Sequence, residues 1–172
     1  MQFSSQPPEN CTRPLFSATV RVAVSLGSNL GDRRAHLEYA IDALALDLTD
    51  IKVSSIQETE PFGVGQEHGR YLNAVLVGTT ALSARNLLDR LLDIEEERGR
   101  RRPYAMAPRT LDLDLILYGS SIISEDGLAV PHPRFREREF VIRPLAEIAP
   151  EMTDPVTGKT IALLVAERDN RV

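Results

Sequence analysis

The sequence predicts an α+β fold in the order β-α-β-β-α-β, on three observations. Short β-branched and aliphatic runs near residues 20–26, 51–59, 71–77 and 111–118 read as strands. Two other segments repeat their apolar residues every three or four positions, the spacing of a helix with one buried face. Those segments fall after the first and third strands, so helical crossovers separate the strands of a single sheet. With 172 residues, 42% of them apolar and 26% charged, the chain has the size and balance of one folded domain.

Residues 1–18 carry Pro7, Pro8 and Pro14 among small polar residues, with only Phe3, Leu15 and Phe16 to bury. Such a segment does not offset its ordering entropy and is expected to be a loose tail before one domain over 19–172. Val20 to Leu26 then forms the first strand, and Gly27-Ser-Asn-Leu-Gly31 reads as a tight turn. Asp32 caps a helix whose apolar positions are Leu37, Ile41, Leu44 and Leu48. Ile51 to Thr59 reads as the second strand, a glycine-rich loop spans 61–70, and Tyr71 to Val77 is the third. Ser83 opens the second helix, with Leu87, Leu88, Leu91 and Ile94 inward, and Gly99 stops it. Leu111 to Tyr118 is the fourth strand.

This is the ferredoxin-like plan, an antiparallel sheet with two helices on one face. The last third is an extension: a hairpin through Ile122, Ile123 and Leu128 to Val130, a helix from Arg134 to Ala149 broken at Pro144, and a short final helix after the turn at Asp154 to Gly158.

Composition excludes several functions. The net charge of −5 argues against coating nucleic acid by bulk charge. No apolar run reaches the roughly 18 residues that cross a bilayer. Cys11 is the single cysteine, so no intrachain disulfide forms, and with no secretory leader in evidence the cytoplasm is the expected compartment.

The sharpest chemical feature is Arg109-Thr-Leu-Asp112-Leu-Asp114. Strand residues two apart share a face, which sets Asp112 and Asp114 together and sends Leu111, Leu113 and Leu115 to the other side. Two carboxylates about 7 Å apart at the backbone repel each other unless a cation lies between them. Hard oxygen donors suit Mg²⁺, which takes one or two protein carboxylates and completes its shell with water and phosphate oxygens. Arginines flank the pair: Arg98, Arg100, Arg101, Arg102 and Arg109 on one side, His132, Arg134, Arg136 and Arg138 on the other. Guanidinium forks bind phosphate oxygens bidentately, so the arrangement suits a polyphosphate. Tyr71 and Asn73 share a strand face and suit a flat heterocycle, the ring by stacking and the amide by donating and accepting. Phe140 is a further candidate for stacking, and His36 and His68 are expected to face solvent without a role.

Taken together, these motifs resemble the 6-hydroxymethyl-7,8-dihydropterin pyrophosphokinase family. The resemblance rests on Gly27-Ser-Asn-Leu30, Glu60-Pro-Phe-Gly63, Tyr71-Leu-Asn73, Ile94-Glu95, Gly99-Arg100, Ala107-Pro-Arg-Thr-Leu-Asp-Leu-Asp114, Val130-Pro-His132 and Arg143-Pro-Leu-Ala-Glu-Ile-Ala-Pro150, in order. It implies transfer of pyrophosphate from ATP to the pterin hydroxymethyl group, with release of AMP, in folate synthesis. Asp112 and Asp114 would hold two Mg²⁺ ions, and Arg100 and Arg109 would act with them in catalysis. Arg102, His132 and Arg138 would contact the ATP phosphates, and Glu95 and Leu115 would lie by the nucleotide. Tyr71 and Phe140 would sandwich the pterin, Asn73 would bond its edge, and backbone groups of Thr59 and Phe62 would complete its recognition. The loops at 60–70 and 99–108 would close over the site. The sequence departs from some members at Ala105-Met106, Leu92 and Pro133. The likeness implies a monomer, with association to neighbouring folate-pathway enzymes left open.

Two other classes share this plan. An RNA-binding module would display interleaved aromatics on the sheet, where this chain sets two aspartates that repel phosphate in the absence of metal. A catalytically inactive relative serving as a protein-binding module is the third reading.

Overall fold

Strand β1 (Val20–Ser28) runs down the middle of an antiparallel sheet, with β4 (Tyr71–Thr80) bonded to one edge and β5 (Asp112–Tyr118) to the other. The structure, a computed structural model, describes residues 18–60, 69–99 and 108–170. β2 (Thr49–Val53) and β3 (Gln57–Thr59) both pair with β4, giving the order β2-β4-β1-β5. The expected single strand over 51–59 is therefore two. At the break, the buried Ser54 hydroxyl accepts the Val75 N–H at 2.9 Å, a side-chain bond in place of a backbone ladder bond.

Helices α1 (Arg33–Leu44) and α2 (Ala84–Glu97) follow β1 and β4. Both start where the sequence places a cap: the Asp32 carboxylate accepts from Ala35 N, and the Ser83 hydroxyl accepts from Asn86 N. α1 ends at Leu44, earlier than its periodicity suggests; Leu48 reaches the same core from the turn that follows. The two helices lie on one face of the sheet, where Leu37, Leu44, Leu87, Leu91 and Ile94 meet Val22, Val24, Leu26 and Leu76.

The extension covers part of the opposite face. After the hairpin β6 (Ile123–Glu125) and β7 (Leu128–Val130), a 3₁₀ turn at Phe135–Glu137 leads into α3 (Glu139–Ile148). Val141, Ile142 and Leu145 of α3 pack with Phe135 on Ala23, Val75, Val77, Ile116 and Leu117. A register shift in the β1–β5 pairing skips Ile116, which lets that residue and Leu117 both enter this core. Pro144 lies inside α3 and does not break it. It removes the bond its own N–H would donate to Phe140, and its ring is buried. α4 (Ile161–Asp169) closes the described chain, tied back by Arg168 to Glu139 and the Arg136 carbonyl, while Arg136 Nε and Nη2 bond the fully buried Asp154 of the preceding turn at 2.7 and 2.6 Å. The tail expected at residues 1–18 lies almost wholly outside the described residues, Cys11 included.

Candidate active site

The face under α3 is only partly covered. Beyond Ala23 and Ser25, β1 presents Gly27, and the register sets Asn73 of β4 and Asp112 of β5 on either side of it. Because side chains alternate along a strand, Tyr71 and Asn73 flank one side of this strip, and Asp112 and Asp114 flank the other. The two pairs that the sequence singles out separately are thus brought to one trough. Gly27 itself lies inside β1 and not in a turn; the turn is made by Gly31, at φ +71°.

The carboxylates are each met by a guanidinium. Arg109 Nη1 donates to Asp112 Oδ1 at 2.6 Å and Arg138 Nη1 to Asp114 Oδ2 at 2.7 Å, while His132 Nε2 stands 3.8 Å from Asp114 Oδ2. Partial burial works against the Arg109 cation, but Asp112, joined by Tyr71 and Asp114, outweighs it and holds the guanidinium above its usual range. His132 is pushed the other way: burial lowers its pKa, Arg138 and Arg134 add to this, and Asp114 opposes it. The imidazole is accordingly neutral at pH 7.

Backbone geometry places these groups. Asn29, in the β1–α1 loop, grips Arg109 at two points: its Oδ1 accepts Arg109 N–H at 2.7 Å and its own N–H donates to the Arg109 carbonyl at 3.1 Å. The His132 N–H donates to the Ile116 carbonyl at 2.9 Å, fastening the segment after the hairpin to β5. Arg138 sits at the N-terminus of α3, 5.8 Å from the Phe140 ring it partly covers. The second arginine cluster is smaller than the sequence suggests. Arg136 turns away to Asp154 and Arg134 lies out beside Glu137, so that only His132 and Arg138 reach the acids.

The free edge of β5 adds a cavity of about 320 Å³, lined among others by Leu88, Leu113, Asp114, Leu115, Leu128 and His132. Glu95, expected beside a nucleotide, is 2% exposed and is not in that lining; its Oε1 accepts the Leu113 N–H at 2.6 Å, between the two aspartates. A buried carboxylate on a backbone donor caps the strand edge and fixes the aspartate spacing. Neither this role nor the Asn29 clamp is signalled in the sequence, since both depend on segments far apart in the chain. His36, expected in solvent, is half-buried and accepts from Arg98 Nε at 3.0 Å through Nδ1. On the Tyr71–Asn73 side of the trough, Asn73 Nδ2 donates to Thr59 Oγ1 at 2.7 Å. Ser28 Oγ, Asn29 Nδ2 and Thr110 Oγ1, all at this end of the sheet, are buried with no hydrogen-bond partner among the described residues. Arg100, Arg102 and Phe62, and nearly all of both expected closing loops, lie outside the described residues.

The profile of the 7,8-dihydro-6-hydroxymethylpterin-pyrophosphokinase family matches residues 23–150. The chain belongs to this family. Among related proteins, the Synechocystis 2-amino-4-hydroxy-6-hydroxymethyldihydropteridine pyrophosphokinase is 43% identical over 85% of this chain and 75% of its own length. The Bacillus subtilis enzyme of that name is 41% identical, over 78% of this chain and 81% of its own. The folic acid synthesis protein fol1 of Pneumocystis carinii is 39% identical, but the match spans 19% of that longer protein. In fold, the chain superimposes with a TM-score of 0.71 on a Plasmodium falciparum HPPK-DHPS chain, covering 90% of this chain and 44% of that one at 16% identity. Membership in the pyrophosphokinase family and the ferredoxin-like sheet agree with the sequence reading.

Proposed function

We propose that this protein transfers pyrophosphate from ATP to the hydroxymethyl group of 6-hydroxymethyl-7,8-dihydropterin, giving the pterin diphosphate and AMP in folate synthesis. One observation carries the reading: across Gly27, an acidic pair met by Arg109, Arg138 and His132 stands beside a ring-and-amide pair, Tyr71 and Asn73. A site for a polyphosphate and a site for a flat heterocycle therefore adjoin on one face.

The donor set fits Mg²⁺. Among the described residues no three metal-ligating side chains cluster, and two hard carboxylates are the usual protein share of a magnesium site completed by phosphate. Asp112 and Asp114 would hold the two ions, which when bound supply charge neutralisation along the triphosphate. Arg109 and Arg138 stand at the same carboxylates and meet phosphate oxygens drawn there, with His132 neutral beside them and Arg100 and Arg102 adding further contacts. The adenine occupies the cavity at the β5 edge. Leu113 and Leu115 alternate with the paired residues, so the Leu115 N–H points outward there as the Leu113 N–H does towards Glu95. Tyr71 and Phe140 stack on the pterin, Asn73 reads its edge, and the backbones of Thr59 and Phe62 complete the contacts.

The pterin hydroxyl oxygen bonds to the β phosphorus as the bridge from that phosphorus to the α phosphate breaks, AMP leaves, and the hydroxyl proton passes to water. Placement and electrostatics carry this step without a covalent enzyme intermediate. We further propose a monomeric domain over 19–172 working in the cytoplasm, where ATP is available; no described helix is long and apolar enough to cross a membrane. Incubation with ATP, Mg²⁺ and hydroxymethyldihydropterin should yield AMP and pterin diphosphate one for one. No AMP across a range of divalent metals and pH overturns the assignment.

A further inference from the structure

We infer that Gly27 is a specificity-determining position for the pterin: the bare backbone at this point is the seat over which the substrate arm passes from the ring pocket to the acidic pair. The inference rests on the pterin reading of this face and goes beyond it, because it gives a role to a residue that offers no side chain.

Glycine costs stability inside a strand, about 0.5–1 kcal/mol relative to alanine, and gains its place there through backbone freedom or close approach. Backbone freedom is not the reason here. Gly31, Gly99 and Gly119 take positive φ, whereas Gly27 does not and sits in regular register with both neighbouring strands. Steric exclusion by the fold is slight. A Cβ on Gly27 would lie 3.3 Å from Asn73 Oδ1, 3.8 Å from Tyr71 Cδ1 and 3.9 Å from Asp112 Cβ, one close contact and two ordinary ones. By contrast, a Cβ on Gly119 would come within 2.9 Å of Val20.

What surrounds the missing side chain decides its use. The three nearest groups are the stacking ring, the reading amide and the aspartate of the metal pair, from two strands that meet only across β1. The amide is held in place from outside, since Asn73 is 4% exposed and its Nδ2 is engaged by Thr59 Oγ1, leaving Oδ1 turned to the strip over Gly27. A ligand that stacks on Tyr71, bonds Asn73 and reaches Asp112 has to cross this strip. One methyl there takes up the space the ligand needs while leaving the protein room to fold.

The test is Gly27→Ala. Thermal unfolding should show a midpoint within a few degrees of the parent's, the stiffer chain being set against the few tenths of an ångström that Asn73 Oδ1 must give. Affinity for hydroxymethyldihydropterin, measured by titration in the presence of a non-hydrolysable ATP analogue, should fall about tenfold or more, the scale of one misplaced methylene in a fitted pocket. Affinity for the ATP analogue alone should stay within about twofold. Pterin affinity unchanged in Gly27→Ala while the parent and an Asn73→Ala control differ would overturn the role of Gly27 and leave the pterin reading standing. Pterin affinity unchanged in Asn73→Ala would remove both. A Gly27→Ala protein that fails to fold would show packing, not ligand space, to be what excludes a side chain, and would also overturn the inference.

Discussion

On the face under α1 and α2, β1 turns Val20, Val22, Val24 and Leu26 inward, and β4 adds Leu76; on the other face the same strands offer Ala23, Ser25 and Gly27, with Val75, Asn73 and Tyr71. The first face is filled along its length by helix side chains. Among the described residues the second is filled only at one end, where Val141, Ile142 and Leu145 arrive, and β1 offers only small side chains and then none along it, at Ala23, Ser25 and Gly27. The same strand therefore supplies the scaffold on one side and a trough on the other. Stability and chemistry are separated by strand alternation, so each is open to change without the other.

Removing either acid should separate the two most widely. Asp112→Ala and Asp114→Ala should lower turnover roughly a thousandfold or more, equivalent to about 4 kcal/mol of transition-state stabilisation. Each should keep the parent's unfolding midpoint within a few degrees, because relief of like-charge repulsion between the two acids offsets the lost ion pair to Arg109 or Arg138. Near-parent rates would reduce the pair to surface charge and dissolve the contrast between the faces. The opposite dissociation is expected from Leu87→Ala in the filled core. That change should cost about 2–5 kcal/mol in urea unfolding, with pterin and ATP affinities of the folded protein unaltered. Arg109→Ala should fall between, with kcat lowered about a hundredfold and pterin affinity retained; unchanged kinetics would remove the guanidinium from the reaction.

Much of this division was legible in the sequence. Alternation in Asp112-Leu-Asp114 and Tyr71-Leu-Asn73 needs only the strand period, and the two members of each pair share a face as expected; that the pairs adjoin across Gly27 depends on strand order. Helix starts at Asp32 and Ser83 were equally readable, since a cap is a local bond. What was not legible depends on partners distant in sequence. Arg134, Arg136 and Arg138 look alike along the chain, yet Asp154 claims one, Asp114 another, and Arg134 is left at the surface. Glu95 carries no mark that its acceptor role is to Leu113, and the Ser54 break in the second strand appears only once Val75 lies opposite. Pro144 lies inside α3 with its ring buried, and that burial depends on neighbours the local sequence does not show.

The smallest expected effect sharpens the comparison within the second face, between its covered and open ends. Asp154 and Arg136 tie the extension together at the covered end, out of reach of the acids. Burial alone would raise the Asp154 pKa, but bonds from Arg136, Thr157 Oγ1 and the Val156 N–H outweigh it and hold the carboxyl below its usual range. A folded-state pKa below the unfolded one means that the carboxylate stabilises the protein above about pH 4, and that this contribution is lost as pH falls through the lowered value. Asp154→Asn should therefore be less stable than the parent by about 1–3 kcal/mol at pH 7, with the gap closing as pH is lowered from about 4 towards 2. Substrate affinities at pH 7 should not move. A gap independent of pH would show that shape, not charge, makes the contact, and a changed ATP affinity would show that the two ends of the face are coupled.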